Sequence, residues 1–172
     1  MSRLAQLERW FERLLEFIVM FLTVGLTIVV LLAVVYRKAG HSLVWYDEVA
    51  SIMLAWLTYY GAALAALKRA HIGFPGLVEA LPVTWRITAI YVSETVIIGF
   101  FLLLTWVGWK VLLVLEGSYL ISLPNVPITF TQSVIPIGGA LFIIAQLLSL
   151  PRTLEEARRG QRHEVPLEFQ DT

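Results

Sequence analysis

The sequence predicts an all-α membrane protein with four transmembrane helices, both termini in the cytoplasm and a short amphipathic helical segment at the N-terminus. Three observations predict it. Hydrophobic residues make up 58% of the 172 positions and charged residues only 15%, where a soluble domain carries roughly 25% charged residues. Four apolar runs are each long enough for a helix, rising about 1.5 Å per residue, to cross a hydrocarbon core about 30 Å thick. The basic residues gather on alternate sides of those runs.

The N-terminal segment Met1–Glu16 places Leu4, Leu7, Phe11, Leu14 and Leu15 at helical spacing, with Arg9/Glu12 and Arg13/Glu16 three residues apart. It either lies in the membrane interface or extends the first span into the cytoplasm. Span one, Phe17–Tyr36, holds no charge, and the charged side chains of both signs before it argue against a cleavable signal peptide. Span two, Val49–Leu67, is fenced by Asp47–Glu48 and by Lys68–Arg69. Span three, residues 87–115, carries Glu94 and continues past Lys110, so it is expected to tilt or to project from the bilayer. Span four, Ile128–Leu150, contains Pro136, which removes a backbone donor and predicts a kink. Gly117–Pro127 reads as a turn-rich exterior loop and residues 160–172 as a disordered polar tail. The whole chain forms one transmembrane domain.

Orientation follows from Lys and Arg. Arg3, Arg9, Arg13, Lys68, Arg69, Arg86, Arg152, Arg158, Arg159 and Arg162 fall on one side, and Arg37, Lys38 and Lys110 on the other. The richer side belongs in the cytoplasm.

Composition also excludes functions. The formal net charge is zero, so no basic field exists for nucleic acid. With no Cys, disulfides, thiolate metal sites and iron–sulfur clusters are ruled out. His41, His71 and His163 all lie outside the spans, which argues against a transmembrane haem. The sequence calls for no cofactor, no metal and no catalytic residue.

The residues singled out are therefore candidates for packing and interfaces. Trp45, Asp47 and Glu48 stand at the exterior mouth of span two, where carboxylates suit a helix N-terminus. Glu48 either serves that dipole or faces a partner or a neighbouring helix. It heads a stripe of Glu48, Ile52, Trp56, Tyr59 and Ala63. Trp56 lies in mid-span, too deep for an aromatic belt, so its indole N–H needs an acceptor within protein. Gly61/Ala65 and Ala62/Ala66 are small-xxx-small pairs that make span two the packing helix of the bundle. Lys68, Arg69 and His71 read as cytoplasmic anchors at the helix C-terminus, with a lipid-headgroup or subunit contact as the alternative. Glu94 lies about 12 Å into its helix from Arg86. It either hydrogen-bonds Gln146, at similar depth in span four, or acts as an ion-coupling carboxylate. Thr129, Thr131, Gln132 and Ser133 are expected to bond across helices.

In combination these motifs resemble the small membrane subunit, the DctQ-like component, of tripartite ATP-independent periplasmic (TRAP) transporters. The resemblance rests on Trp45, Asp47–Glu48, Trp56, Gly61–Ala62, Lys68–Arg69–Ala70–His71–Ile72, Leu123–Pro124 and Ile135–Pro136–Ile137–Gly138, over roughly Phe17 to Leu150. Gly73–Phe74–Pro75 departs from it, since an acidic residue is common there. The resemblance implies a non-catalytic scaffold in the bacterial inner membrane, among membrane lipids. It also implies a large ion-coupled permease subunit and a periplasmic substrate-binding protein as partners, with organic acids as substrates. On that reading Glu48, Trp56, Arg69 and His71 are interface or structural residues. A self-sufficient small exporter that uses Glu94 as its coupling carboxylate is the alternative reading.

Overall fold

The computed structural model describes residues 3–68 and 82–159, and these are helical almost throughout. The helices are α1 (Arg3–Lys38), α2 (Tyr46–Leu67), α3 (Val83–Val114), the short α4 (Ile128–Gln132) and α5 (Val134–Arg159). Among the described residues four stretches are long and apolar enough to cross a membrane, with α4 and α5 together forming the fourth. Arg69, His71 and residues 160–172, including the expected tail, lie outside the described residues.

The helices stand in a row rather than a square. α1 packs on α2, α2 on α5, and α5 on α3, so α1 and α3 form the two edges. The fourth span is the most enclosed, with 44% of its apolar window buried, against 11% for α1, 11% for α2 and 6% for α3. The packing role expected of span two thus falls chiefly on α5. Gly138 and Gly139 explain how one helix can receive two neighbours. A Cβ on Gly138 would stand 2.7 Å from Tyr59 Cβ on α2, and one on Gly139 would stand 2.5 Å from Thr105 Oγ1 on α3. Both gaps are closer than side chains tolerate, so the absent side chains are what let α2 and α3 approach adjacent faces.

α1 resolves the choice left open for Met1–Glu16. The helix runs unbroken from Arg3 to Lys38, extending span one instead of lying flat beside it. Phe11 and Leu15 are buried in one cluster with Ala63, Ala66 and Leu67 of α2 and Phe142 and Ala145 of α5. α1 stops at Gly40, whose φ of 84° is the left-handed geometry of a helix C-cap. The Gly40 N–H donates to Arg37 O and the His41 N–H to Tyr36 O, closing the end.

α3 has 32 residues and is therefore about 48 Å long. Trp85 is exposed near one end, Trp106 and Trp109 near the other, with Lys110 Nζ 5.8 Å from the Trp106 ring. Aromatic and basic side chains thus gather at two levels of α3.

Pro136 does not kink a continuous span as expected. The chain breaks earlier, at Ser133, and Pro136 falls in the first turn of α5, where backbone N–H groups have no intrahelical partner to lose. The fourth span also outlasts Leu150. α5 passes Pro151 and ends at Arg159, beyond the apolar stretch Ile128–Glu155, which carries Arg152 to Glu8 of α1.

Candidate functional site

Several polar side chains of this apolar chain join one element to another. At the loop end, Glu48 sits in the first turn of α2, with Trp45 as the residue preceding the helix and Asp47 exposed beside it. The Ser122 N–H donates to the Glu48 carboxylate at 2.9 Å, the Ile121 N–H at 3.3 Å, and the Ser122 hydroxyl donates to it as well. Glu48 therefore ties α2 to the loop between α3 and α4. The same loop is narrowed by a Tyr119–Pro127 bridge and a bond from Leu120 N to Val126 O. Ser122 is the member sequence reasoning missed, because a loop partner 74 residues away leaves no periodic signal.

Half-way along α2, the Trp56 indole N–H donates to the carbonyl of Thr131 at 2.9 Å, next to the break between α4 and α5. Its ring lies 5.4 Å from Phe130 and 6.3 Å from Tyr60. The acceptor that a mid-span indole requires is thus a backbone carbonyl at the break. The hydroxyls expected to bond across helices stay local, Thr131 Oγ1 donating to Ile128 O and Ser133 Oγ to Phe130 O. Short side chains on a helix reach their own preceding carbonyls more easily than a neighbouring helix. Beside Trp56 lies a half-open cleft of about 210 Å³, with Ser51, Ala55 and Tyr59 on its α2 side and Thr131, Gln132 and Ile135 opposite.

Gly61 and Ala65 sit on a different face of α2. A Cβ on Gly61 would meet nothing within 4 Å, so the close approach expected there is not to another helix among the described residues. Ala66 is buried and Ala62 partly buried against the core.

On α3, Glu94 is 5% exposed and Gln146 of α5 is 3% exposed. Gln146 Nε2 donates to Glu94 Oε2 at 2.8 Å. Of the two readings open for Glu94, this is the hydrogen-bonded one. Phe101 of α3 and Phe142 of α5 stack at 3.7 Å on the same helix pair.

At the opposite end of α2, Lys68 reaches Glu12 at 3.3 Å and also Glu16, while Arg152 of α5 reaches Glu8. The Glu16 hydrogen bond, helped by Glu12, holds the Lys68 ammonium above its ordinary pKa. Lys68 is thus a tie between α2 and α1 as well as a terminal charge. Glu8, Glu12 and Glu16, each one helical turn apart, were the signal in the sequence for this contact.

Residues 26–156, well over half of the chain, match the family described as tripartite ATP-independent periplasmic transporters, DctQ component. The chain belongs to the DctQ family. No curated protein matches it. DctQ is a family of transporter components rather than of enzymes, and this member is the small membrane subunit of a TRAP transporter. The match begins inside α1 and ends near the close of α5, so it covers the whole row except the N-terminal part of α1.

Proposed function

We propose that this DctQ chain is the scaffold subunit of a secondary transporter that takes up organic acids across the bacterial inner membrane. It braces a large ion-coupled permease subunit, and a periplasmic substrate-binding protein delivers the solute. Both termini face the cytoplasm, a reading supported by the concentration of Lys and Arg at that end. The observation that carries the scaffold role is the row of helices. A row with α1 and α3 at its edges exposes broad apolar flanks on both and suits a brace. The intramembrane polar groups Trp56, Glu94 and Gln146 are engaged in joining the chain's own elements.

The test is reconstitution. Proteoliposomes holding the complete complex should accumulate a radiolabelled organic acid under an ion gradient, and those holding this chain alone should not. Robust uptake by the chain alone would overturn the proposal and favour the exporter reading. Orientation is tested with a reporter fused after Thr172 that fluoresces only in the cytoplasm; a dark fusion of full length would reverse it.

A further inference from the structure

The cleft beside Trp56 lies at a depth where lipid has nothing polar to offer. α2 spans Tyr46–Leu67, and Trp56 stands ten residues after Tyr46, which puts it about 15 Å from that end and near the middle of a core about 30 Å thick. The 2.9 Å bond from its indole holds the Thr131 carbonyl within a side chain's length of that level, toward the start of the fourth span, and Gln132 is the next residue. Tyr59 lies one turn further along α2. Both Gln132 and Tyr59 line the cleft, and neither side chain has a hydrogen bond among the described residues. Their neighbours do not share this state, since Ser51 Oγ donates to Asp47 O and Thr131 Oγ1 to Ile128 O.

An amide brings two donors and an acceptor, and a phenol brings one of each. Acyl chains can satisfy none of them, and unsatisfied polar groups in hydrocarbon are costly. Lipid esters sit nearer the interfaces. The fitting occupant at the midplane is a side chain from another membrane protein. A cleft of about 210 Å³ is smaller than the pockets of roughly 300–1,000 Å³ that hold small-molecule ligands. The approach is open, because Ser51 and Ala55 at its rim are small and exposed.

We propose that a transmembrane helix of the large permease subunit seats a hydrogen-bonding side chain in the cleft between α2 and the α4–α5 break, bonded to Gln132 and Tyr59. This rests on the scaffold reading above, and it names the face of the scaffold that meets the permease. Polar side chains joining helices at the midplane act as glue for association, and small residues at the rim let the backbones come close.

The experiment uses the complete complex, purified from cells that co-express this chain with the permease subunit and the binding protein. The photo-crosslinker p-benzoylphenylalanine replaces Ser51 at the cleft rim or, for comparison, the exposed Leu103 of α3. Adducts are identified by mass spectrometry. The Ser51 probe should label the permease subunit. Gln132→Leu, which keeps the bulk and removes the amide, should lower permease recovery on this chain roughly three- to tenfold, and Gln132→Asn should restore part of it. Membrane levels of the chain itself serve to exclude misfolding. The inference is overturned if the complex is recovered but the Ser51 probe labels only lipid or a second copy of this chain. Recovery unchanged by Gln132→Leu would overturn it equally, and in both cases the scaffold reading stands. If wild-type chain recovers no permease subunit at all, the scaffold reading fails, and this inference fails with it.

Discussion

Gln146 of α5 donates its side-chain amide to Glu94 of α3 at 2.8 Å, with both side chains almost fully buried. The bond joins an edge helix to one of the two inner helices of the row. Glu94→Gln keeps a hydrogen-bonding side chain of the same size, whereas Glu94→Leu strands the Gln146 amide in an apolar setting. Glu94→Leu should therefore destabilise the chain by about 1–3 kcal/mol, and Glu94→Gln by clearly less. Thermal unfolding in detergent, followed by circular dichroism, reads the difference. The scaffold reading adds that complexes carrying Glu94→Gln keep transporting. Loss of uptake with assembly intact would instead make Glu94 a coupling group.

Trp56 combines a hydrogen bond with a large packed surface, and two substitutions separate them. Trp56→Phe retains a ring beside Phe130 and Tyr60 and gives up only the bond to the Thr131 carbonyl. Its cost should be about 1 kcal/mol. Trp56→Ala also opens a cavity and should cost about 3–5 kcal/mol. Equal losses for the two variants in the same unfolding assay would mean that the indole N–H, not the packing, holds α2 to the break.

Four spans and the partnership of Glu94 with Gln146 were legible in the sequence because each rests on rise per residue, a local quantity that counting recovers. The acceptor needed by Trp56 was legible as a need, but its identity was not. It is a main-chain carbonyl exposed by a break whose position depends on how Ser133 and Pro136 share one turn. The row of helices was not legible at all. Which face of α5 receives α2 and which receives α3 is decided by Gly138 and Gly139 acting together, and hydropathy does not distinguish adjacent glycines. The tie from Glu48 to Ser122 was hidden for a related reason, since a loop has no period to read.

The two classes of glycine should respond in opposite directions. A methyl at Gly138 would be driven against Tyr59 Cβ, which is anchored to the α2 backbone and cannot swing away, while a methyl at Gly61 enters open space. In the isolated chain Gly138→Ala should lose about 1–3 kcal/mol to overpacking. Gly61→Ala should gain up to about 1 kcal/mol from better helix propensity. Parallel unfolding curves for both variants check this, and a destabilised Gly61→Ala would contradict the open face seen on α2.

Lys68 predicts an alkaline transition at the N-terminal part of α1. Because Glu16 raises the folded-state pKa of Lys68 above its unfolded value, the stability this ion pair contributes is fully present below about pH 10.4. It is lost as pH rises through the folded-state value. Protection against hydrogen exchange over Leu7–Glu16, taken relative to the base-catalysed intrinsic rate, should therefore fall on the alkaline side, and Lys68→Gln should lower it already at neutral pH. Added salt should weaken the wild-type protection in the same direction, since Lys68, Glu12 and Glu16 are all at least a third exposed. A salt-independent rate would assign the docking of this segment to Phe11 and Leu15 alone.

Glu48 offers the sharpest test of a purely structural contact, because its three donors all come from the loop that follows α3. Removing the carboxylate leaves the N–H groups of Ile121 and Ser122 without that acceptor, and both are near enough to water to be solvated instead. The loop should loosen while the helices keep their packing. Limited proteolysis of Glu48→Ala should accordingly cut between Gly117 and Pro127 several-fold faster than wild type, with an unfolding midpoint close to unchanged. Glu48→Gln, which still accepts through its carbonyl oxygen, should fall between the two. Cleavage at the wild-type rate in Glu48→Ala would mean that the Tyr119–Pro127 bridge and the Leu120–Val126 bond hold the loop without help from α2.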